Sequence, residues 1–330
     1  MESIPTTRRY VAVNPQDRSI SIEQGPLPEP QPGEILIKVS AAGLNRADLL
    51  QRKGLYPPPE DASPIMGLEV AGEVLATGAG VQNWHAGDRV CALTHGGGYA
   101  DYTVAPASQS MPIPTGMGMA EAAALPEALL TVWHNLIQRC HLRAGDKVLI
   151  HGGASGIGTL AIPICKTLGA EVYTTAGSDD KCRALEARGA TRAINYRTED
   201  YEQVLTDLGL KDKIDIILDV AGGDFIQKNI NIAAPEGRIV NIAFIRGARA
   251  EVNFGPMLMK RLVLTGSTLR AQNFAQKAVM MQEIMERLYS HLENGDIKPL
   301  VDRVFTLEEA EQAQDYMESG QHMGKIILQM

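Results

Sequence analysis

The stretch Lys147–Gly169, KVLIHGGASGIGTLAIPICKTLG, decides the fold. Val148, Leu149 and Ile150 form a short apolar run, as expected of a strand buried on both faces. The turn Gly152-Gly153-Ala154-Ser155-Gly156-Ile157-Gly158 follows at once. Leu160, Ile164 and Leu168 then recur at helical spacing, and Gly169 stands where a helix ends. A helix N-terminus offers unpaired N–H groups and the positive end of a dipole, so it accepts a pyrophosphate. Glycines let the backbone turn tightly and approach such a ligand. The match to G-x-G-x-x-G is imperfect. With Gly153 first and Gly158 last, Ser155 falls at the middle glycine and Gly156 one later. An ordinary tight strand-to-helix turn reads the same way, so context must decide.

Working outward, strands and helices alternate downstream. Glu171–Thr175 reads as a strand, Asp179–Arg188 as a helix ended by Gly189, and Ala193–Tyr196 as a strand. Glu199–Leu208 is helical, Ile214–Val220 extended, and a helix runs to about Ala234. Arg238–Ala243 and Leu262–Ser267 complete six strands. This alternation predicts a parallel, doubly wound α/β sheet whose first strand carries the glycine turn, as a dinucleotide fold requires.

Upstream the pattern differs. Ile35–Ser40, Val70–Thr77, Arg89–Leu93 and Tyr99–Val104 read as short strands punctuated by glycine and proline, which suggests a compact antiparallel barrel. Leu44–Arg52 reads as a short helix carrying Asn45, Arg46 and Asp48. The loop Gly54–Pro59 places Tyr56 before three prolines. From Met119 the pattern turns helical, with Ala120–Ala124 and Leu129–Leu136 interrupted at Pro126. Ala275–Leu292 reads as one long amphipathic helix. Asp302–Thr306, a helix over Leu307–Met317, and Lys325–Gln329 follow, and this tail is expected to return to the first domain. The expected domains are 1–126 with 273–330, and 127–272.

At 330 residues the chain is long enough for two domains. A net charge of −8 argues against general nucleic-acid binding, because phosphate backbones need a basic face. No apolar run reaches transmembrane length, so no membrane partner is expected. MESIPTTRRY has no apolar core of a secretory signal. Cys91, Cys140, Cys165 and Cys182 are widely spaced and read as reduced thiols of a cytoplasmic protein. The seven histidines show no paired ligand spacing, and His151 is expected to cap a strand end.

An NAD site usually carries Asp or Glu about 20 residues past the glycine turn, bonded to the ribose 2′-OH. Here the second strand ends Thr174-Thr175-Ala176-Gly177-Ser178, with no acid. That end leaves room for a 2′-phosphate. Ser178 can donate to it, Lys181 can supply charge, and Tyr196-Arg197 would lie beside them, so NADPH is favoured. Lys181 reads equally as a solvated helix residue, and Asp179 and Asp180 as N-capping residues. An inward turn of either acid would bring NADH into competition.

The words AAGLNRADLLQRKGLYPPP, GLEVAGEV, GDRVCAL, GGGYADY, LPEALLTVWHNL, VLIHGGASGIG, AGSDDK, INY, ILDVAGG and GSTLR, in this order, resemble the medium-chain dehydrogenase/reductase superfamily over essentially the full length. The chain is most similar there to the zinc-independent quinone oxidoreductases, which include ζ-crystallin, and to their tumour-suppressor-inducible subgroup. The resemblance implies a β-rich GroES-like catalytic domain, a Rossmann domain, a cleft between them, NADPH, and a homodimer formed through Leu262–Ser267. By position it implies that Ala154, Ser155, Gly156 and Ile157 face the pyrophosphate. Gly177, Ser178, Lys181 and Tyr196 would hold the 2′-phosphate end. Gly222 would flank the ribose, Phe244 and Ile245 the nicotinamide, and Thr268 and Leu269 its carboxamide. Asn45, Asp48, Tyr56 and Thr131 would line the cleft, with Tyr56, Asn45 and Asp48 as the catalytic candidates and Asn45 and Thr131 also touching the cofactor. Packing against the proline run is an equal reading of Tyr56.

The zinc alcohol dehydrogenases of this superfamily carry Cys near position 45 and a Gly-His-Glu word. This chain has Asn45 and Gly67-Leu68-Glu69, and no four-cysteine lobe, so no metal is expected. A short-chain dehydrogenase needs Tyr-x-x-x-Lys, which is missing, and no G-x-S-x-G or H-E-x-x-H word supports a hydrolase. The expected reaction is direct hydride transfer to an acceptor that needs no Lewis acid, a quinone or an enone. An enone (alkenal) reductase is the alternative enzyme. An NADPH-binding structural or regulatory module with little turnover is the alternative of another class.

Overall fold

A computed structural model describes residues 5–330. Seven strands come first: β1 Thr7–Val13, β2 Ile20–Pro26, β3 Glu34–Gly43, β4 Glu69–Thr77, β5 Arg89–Leu93, β6 Tyr102–Pro106 and β7 Ser110–Pro112. Six follow: β8 Lys147–Ile150, β9 Glu171–Ala176, β10 Arg192–Asn195, β11 Ile214–Asp219, β12 Ala233–Asn241 and β13 Val263–Gly266. Two close the chain, β14 Val301–Thr306 and β15 Lys325–Gln329. The helices used below are α1 Arg46–Arg52, α2 Pro126–Val132, α3 Gly156–Thr167, α4 Asp179–Ala187, α5 Phe225–Ile232, α6 Gly255–Lys260, α7 Phe274–Arg287 and α8 Tyr289–Glu293.

The chain divides into two compact units, one of residues up to 130 with 270–330, the other of residues 131–269. The boundaries therefore differ from the expected ones by a few residues. Residues 127–130 and 270–272 belong with the first unit, and the first boundary falls inside α2 rather than at its proline.

The first unit holds a seven-stranded sheet in the order β14-β15-β3-β4-β5-β7, with β6 also on β3. One edge of β3 pairs with β4 along most of its length. Its other edge is shared: Glu34–Lys38 pairs with β6, and Ala41–Gly43 pairs with β15. The tail does return to this unit, and β14 joins it parallel to β15. The strand-helix-strand order of the tail gives this parallel pair, beside the antiparallel strands expected upstream. The β1–β2 hairpin was not foreseen from the sequence; its alternation is diluted by charged residues. Ile35, Ile37, Val70, Val90, Tyr99 and Leu328 are buried together in this unit's core.

The expected helix Ala275–Leu292 is two helices. Asn273 caps α7 by accepting from the Gln276 amide at 2.8 Å. The chain then breaks at Leu288, buried with φ −119°, before α8. Apolar periodicity carries across such a kink, so the pattern alone cannot show it.

The second unit holds the expected six-stranded parallel sheet, order β10-β9-β8-β11-β12-β13. Its strand order is that of the doubly wound dinucleotide fold. The Leu262–Ser267 segment contributes β13, one of the two edge strands of this sheet. Leu149, Ile194, Ile217, Ile230 and Ile239 lie in its core. Pro163 sits inside α3 and removes one helical N–H. The carbonyl of Thr159, four residues back, instead accepts from Arg188 Nη2 at 3.3 Å. That side-chain bond keeps a proline-bearing helix satisfied.

Candidate nucleotide and acceptor sites

The glycine turn of the second unit is built as phosphate binding requires. Ser155 is the N-cap of α3, its Oγ accepting from Gly158 N at 3.0 Å. The serine at the middle glycine position therefore has its own use. The amides of Gly156 and Ile157 remain as first-turn donors aimed beyond the helix end. Gly158 is needed for contact, since an added Cβ would lie 2.5 Å from the carbonyl oxygen of Gly152. At position 153 it would lie 2.0 Å from Thr174 Oγ1. Ala154 lies on the same turn, partly exposed.

His151 is a fastener in a buried network. Its Nδ1 lies 3.1 Å from Thr175 Oγ1 and its Nε2 2.8 Å from Asn229 Oδ1. Burial pushes its pKa down, opposed by Asp219. Asn229 in turn donates to Asp219 at 3.1 Å. Buried Asp219 also accepts from Asn241 at 2.8 Å and from the amides of Ala221 at 2.6 Å and Gly222 at 3.0 Å. Asp219 shapes the turn at Gly222, and the sequence reading passed over it within ILDVAGG. The next loop is tied to that turn by Ile245 N to Val220 O at 3.1 Å. Phe244 and Ile245 stand half-exposed beside it.

At the end of β9, Ser178 caps α4, its Oγ accepting from Lys181 N at 3.3 Å. Asp179 accepts from Asn195 Nδ2 at 2.7 Å, and Asp180 pairs with Arg183. Both acids are exposed and occupied on helix α4, and neither belongs to the strand end. What stands over that end is Tyr196 and Arg197. A Cβ at position 177 would lie 3.1 Å from the Tyr196 hydroxyl and 3.4 Å from Arg197 Nε. Gly177, Ser178, Lys181 and Tyr196 are thus brought together, with Arg197 as a cation beside them.

Thr131 is buried near the start of this unit, and its carbonyl accepts from Asn135 Nδ2 at 2.8 Å. Asn135 Oδ1 accepts from Ser267 Oγ at 2.7 Å. This chain of bonds brings Thr131 toward Thr268 and Leu269, of which Thr268 is exposed and Leu269 buried.

In the first unit, Asn45 and Asp48 belong to one polar cluster. Asp48 is fully buried, and its carboxylate accepts from Asn45 N at 2.8 Å, Tyr99 OH at 2.8 Å and Gly67 N at 3.2 Å. Burial raises its pKa, and those hydrogen bonds oppose the rise. Its place in the structure is to fasten α1 to the strands, and it lines no exposed surface. Asn45 is partly exposed; its Nδ2 donates to Glu69 Oε1 at 2.9 Å, and its Oδ1 accepts from Lys325 Nζ at 2.8 Å. Lys325 and Glu69 form a buried ion pair, and Lys325 also donates to Leu44 O at 2.8 Å. Gly43 makes room for it, because a Cβ there would lie 2.4 Å from Glu69 Oε1. The second Glu69 oxygen accepts from Glu127 N at 2.9 Å.

Tyr56 lies outside this cluster. It is half-buried, and the Arg270 guanidinium stands 5.7 Å from its ring centre. Arg270, Glu127, Lys325 and Tyr99 were not singled out by sequence. Glu127 stands four residues before Thr131 on one helix, hence on the same face, and that spacing was a usable signal.

A catalytic zinc ion would need its donors from this cluster. The amide oxygen of Asn45 and the carboxylate of Glu69 are both engaged by the Lys325 ammonium, which takes the place a cation would need. Leu68 offers no donor. Among the described residues no group of three or more His, Cys, Asp or Glu side chains is placed to hold a metal. These residues do not fit a catalytic zinc ion. No helix of the described residues is long and apolar enough to cross a membrane.

Comparison with known proteins gives two family matches, the alcohol dehydrogenase GroES-like domain over residues 31–115 and the zinc-binding dehydrogenase family over residues 156–284. The chain is 32% identical to a quinone oxidoreductase of Pseudomonas aeruginosa, over 91% of this chain and 92% of that protein. It is also 32% identical to a phenolphthiocerol/phthiocerol polyketide synthase of Mycobacterium tuberculosis, over 91% of this chain, but spans 14% of that protein's length. Among solved structures, the Escherichia coli quinone oxidoreductase complexed with NADPH superposes with a TM-score of 0.83 at 27% identity, covering 98% of this chain and 100% of that one. The CurK enoyl reductase superposes with a TM-score of 0.85 at 26% identity, covering 99% and 100%.

Proposed function

The chain belongs to the medium-chain dehydrogenase/reductase superfamily, and from that premise we propose that it is a zinc-independent, NADPH-dependent quinone oxidoreductase. The observation that carries this reading is the Lys325 ammonium seated between Asn45 and Glu69. With an ammonium where a Lewis acid would act, the acceptor must already be electron-poor. Quinones and α,β-unsaturated carbonyls meet that condition, and simple alcohols do not.

When bound, NADPH supplies the hydride. The amides of Gly156 and Ile157 take the pyrophosphate, with Ala154 and Ser155 shaping the turn. Ser178, Lys181, Tyr196 and Arg197 take the 2′-phosphate at the acid-free end of β9. Gly222, Phe244 and Ile245 orient the ribose and nicotinamide, and Thr131, Thr268 and Leu269 its carboxamide side. Asn45 and Asp48 set the geometry of the acceptor side, where Tyr56 contacts the acceptor. A named reductase of C=C bonds among the structural relatives favours a second reading, enone reduction on the same site.

The working form is proposed to be a cytoplasmic homodimer joined through β13. That strand is an unpaired sheet edge. Leu258 and Met259 of the neighbouring α6 are 78% and 76% exposed, and pairing with a second copy would cover both features.

Loss of reduced-nicotinamide absorbance tests the function, with NADPH and NADH in parallel and a small quinone, a bulky quinone and an enone as acceptors, with and without chelator. Chelator-insensitive, NADPH-preferring quinone turnover is expected. Tight NADPH binding without turnover on any acceptor would favour the binding-module alternative.

A further inference from the structure

Two side chains of the first unit carry chemical capacity that the fold does not use. Arg270 is 7% exposed. Its Nη1 donates to Gln51 Oε1 at 2.8 Å, and its Cζ lies 5.7 Å from the centre of the Tyr56 ring. Its Nε and Nη2 are buried and have no hydrogen-bond partner among the described residues. Two idle donors on a buried cation are costly, and a planar guanidinium fork suits an oxygen that carries negative charge.

Glu127 is the second. Its amide is held by Glu69, but among the described residues its carboxyl makes no hydrogen bond, and part of the residue remains open to solvent. The charges of Glu69 on β4, Lys325 on β15, Asp48 on α1 and Lys277 on α7 act on it. Its own charge is felt by Arg270. Burial and then the Glu69 carboxylate push its pKa up to about 8, against Lys325 and Lys277. That shift favours the protonated carboxyl at neutral pH, and the exposed part of the residue meets solvent.

We propose that the Arg270 guanidinium receives the oxygen of the reduced acceptor and that Glu127 supplies its proton. The pairing rests on the reductase reading above and adds to it the acid and the oxygen-binding group. A quinone gains two electrons with the hydride and becomes a hydroquinone monoanion. The Glu127 O–H bond breaks and the acceptor O–H bond forms. Glu127 is left as a carboxylate, and one proton per turnover is taken back from solvent. With an enone, the enolate oxygen takes the same place.

The test is kcat and KM from pH 6 to 10 at saturating NADPH, with a small quinone and an enone, for wild type, Glu127→Gln, Glu127→Asp, Arg270→Lys and Arg270→Met. NADPH binding is followed by fluorescence in each. Wild-type kcat is expected to fall tenfold per unit above about pH 8, because the acid form is lost there. Glu127→Gln should lower kcat on the order of 100-fold and abolish that alkaline limb, with Glu127→Asp partly restoring it. Arg270→Met should raise KM and lower kcat, Arg270→Lys should do so less, and NADPH affinity should stay within about twofold throughout. Infrared difference spectra give a readout independent of turnover: a protonated carboxyl band at pH 7 in wild type, lost in Glu127→Gln. An active wild type whose Glu127→Gln variant keeps its rate and alkaline limb would overturn the assignment alone. A wild type that binds NADPH but reduces no acceptor would overturn the reductase reading and this assignment with it.

Discussion

The two units solve different problems with different parts of the chain. The nucleotide side of the second unit is mostly backbone: first-turn amides, a glycine at which no Cβ fits, and a short strand end. The polar cluster of the first unit is mostly side chain, Asn45, Asp48, Tyr99, Glu69 and Lys325 interlocked by hydrogen bonds. A backbone site depends on local sequence and tolerates change around it. A side-chain network draws on residues from α1, β4, β15 and the strand-poor segment before β6, so its failure is collective.

The strongest way to break that contrast is Lys325→Met. It leaves the Glu69 carboxylate buried without its cation, which costs about 3–5 kcal/mol. Denaturant unfolding should show that loss, and Glu69→Gln made together with it should recover a large part. A stability change below about 1 kcal/mol would mean that the cluster does not hold the unit together. Gly158→Ala attacks the other side. Its Cβ would meet backbone at 2.5 Å, so the turn must shift. The expected cost is about 2 kcal/mol, or roughly 30-fold in NADPH affinity, read by fluorescence titration.

Arg197→Ala is a sharper and smaller probe. It removes a cation beside Gly177, and NADPH affinity should fall about tenfold while NADH affinity stays the same. Equal loss for both cofactors would place the 2′-phosphate elsewhere. Arg188→Ala is the smallest. It strips the Thr159 carbonyl of the donor that replaces the Pro163 N–H. About 1 kcal/mol of stability should be lost, with NADPH affinity unchanged.

The same contrast governs what could be read from sequence. The βα alternation and the glycine turn announce the second unit because each strand and the turn after it are written in consecutive residues. The strand-end argument also runs through consecutive residues, and it weighed Lys181 above Arg197, which the structure sets against Gly177. The acceptor cluster was only half legible. Asn45 and Asp48 sit in one conspicuous word, but Lys325 stands at the far end of the chain, and nothing local ties it to Glu69. Asp48 was read as a site lining, and only its burial shows it as a fastener. Glu127 and Arg270 lay inside quoted words, but their chemistry depends on what surrounds them: a carboxyl is an acid at neutral pH only when burial and a neighbouring charge make it so. The kink at Leu288 escaped because hydrophobic periodicity encodes faces and not breaks.

The shared edge of β3 has a consequence for how the protein is made. Part of that edge is filled by β15, which follows every other strand named here in the chain. The second unit has every strand of its sheet in hand once residue 266 has emerged. During synthesis the middle of the chain is therefore ready to fold before its beginning, and the first unit waits with Ala41–Gly43 unpaired until residues 327–329 have emerged.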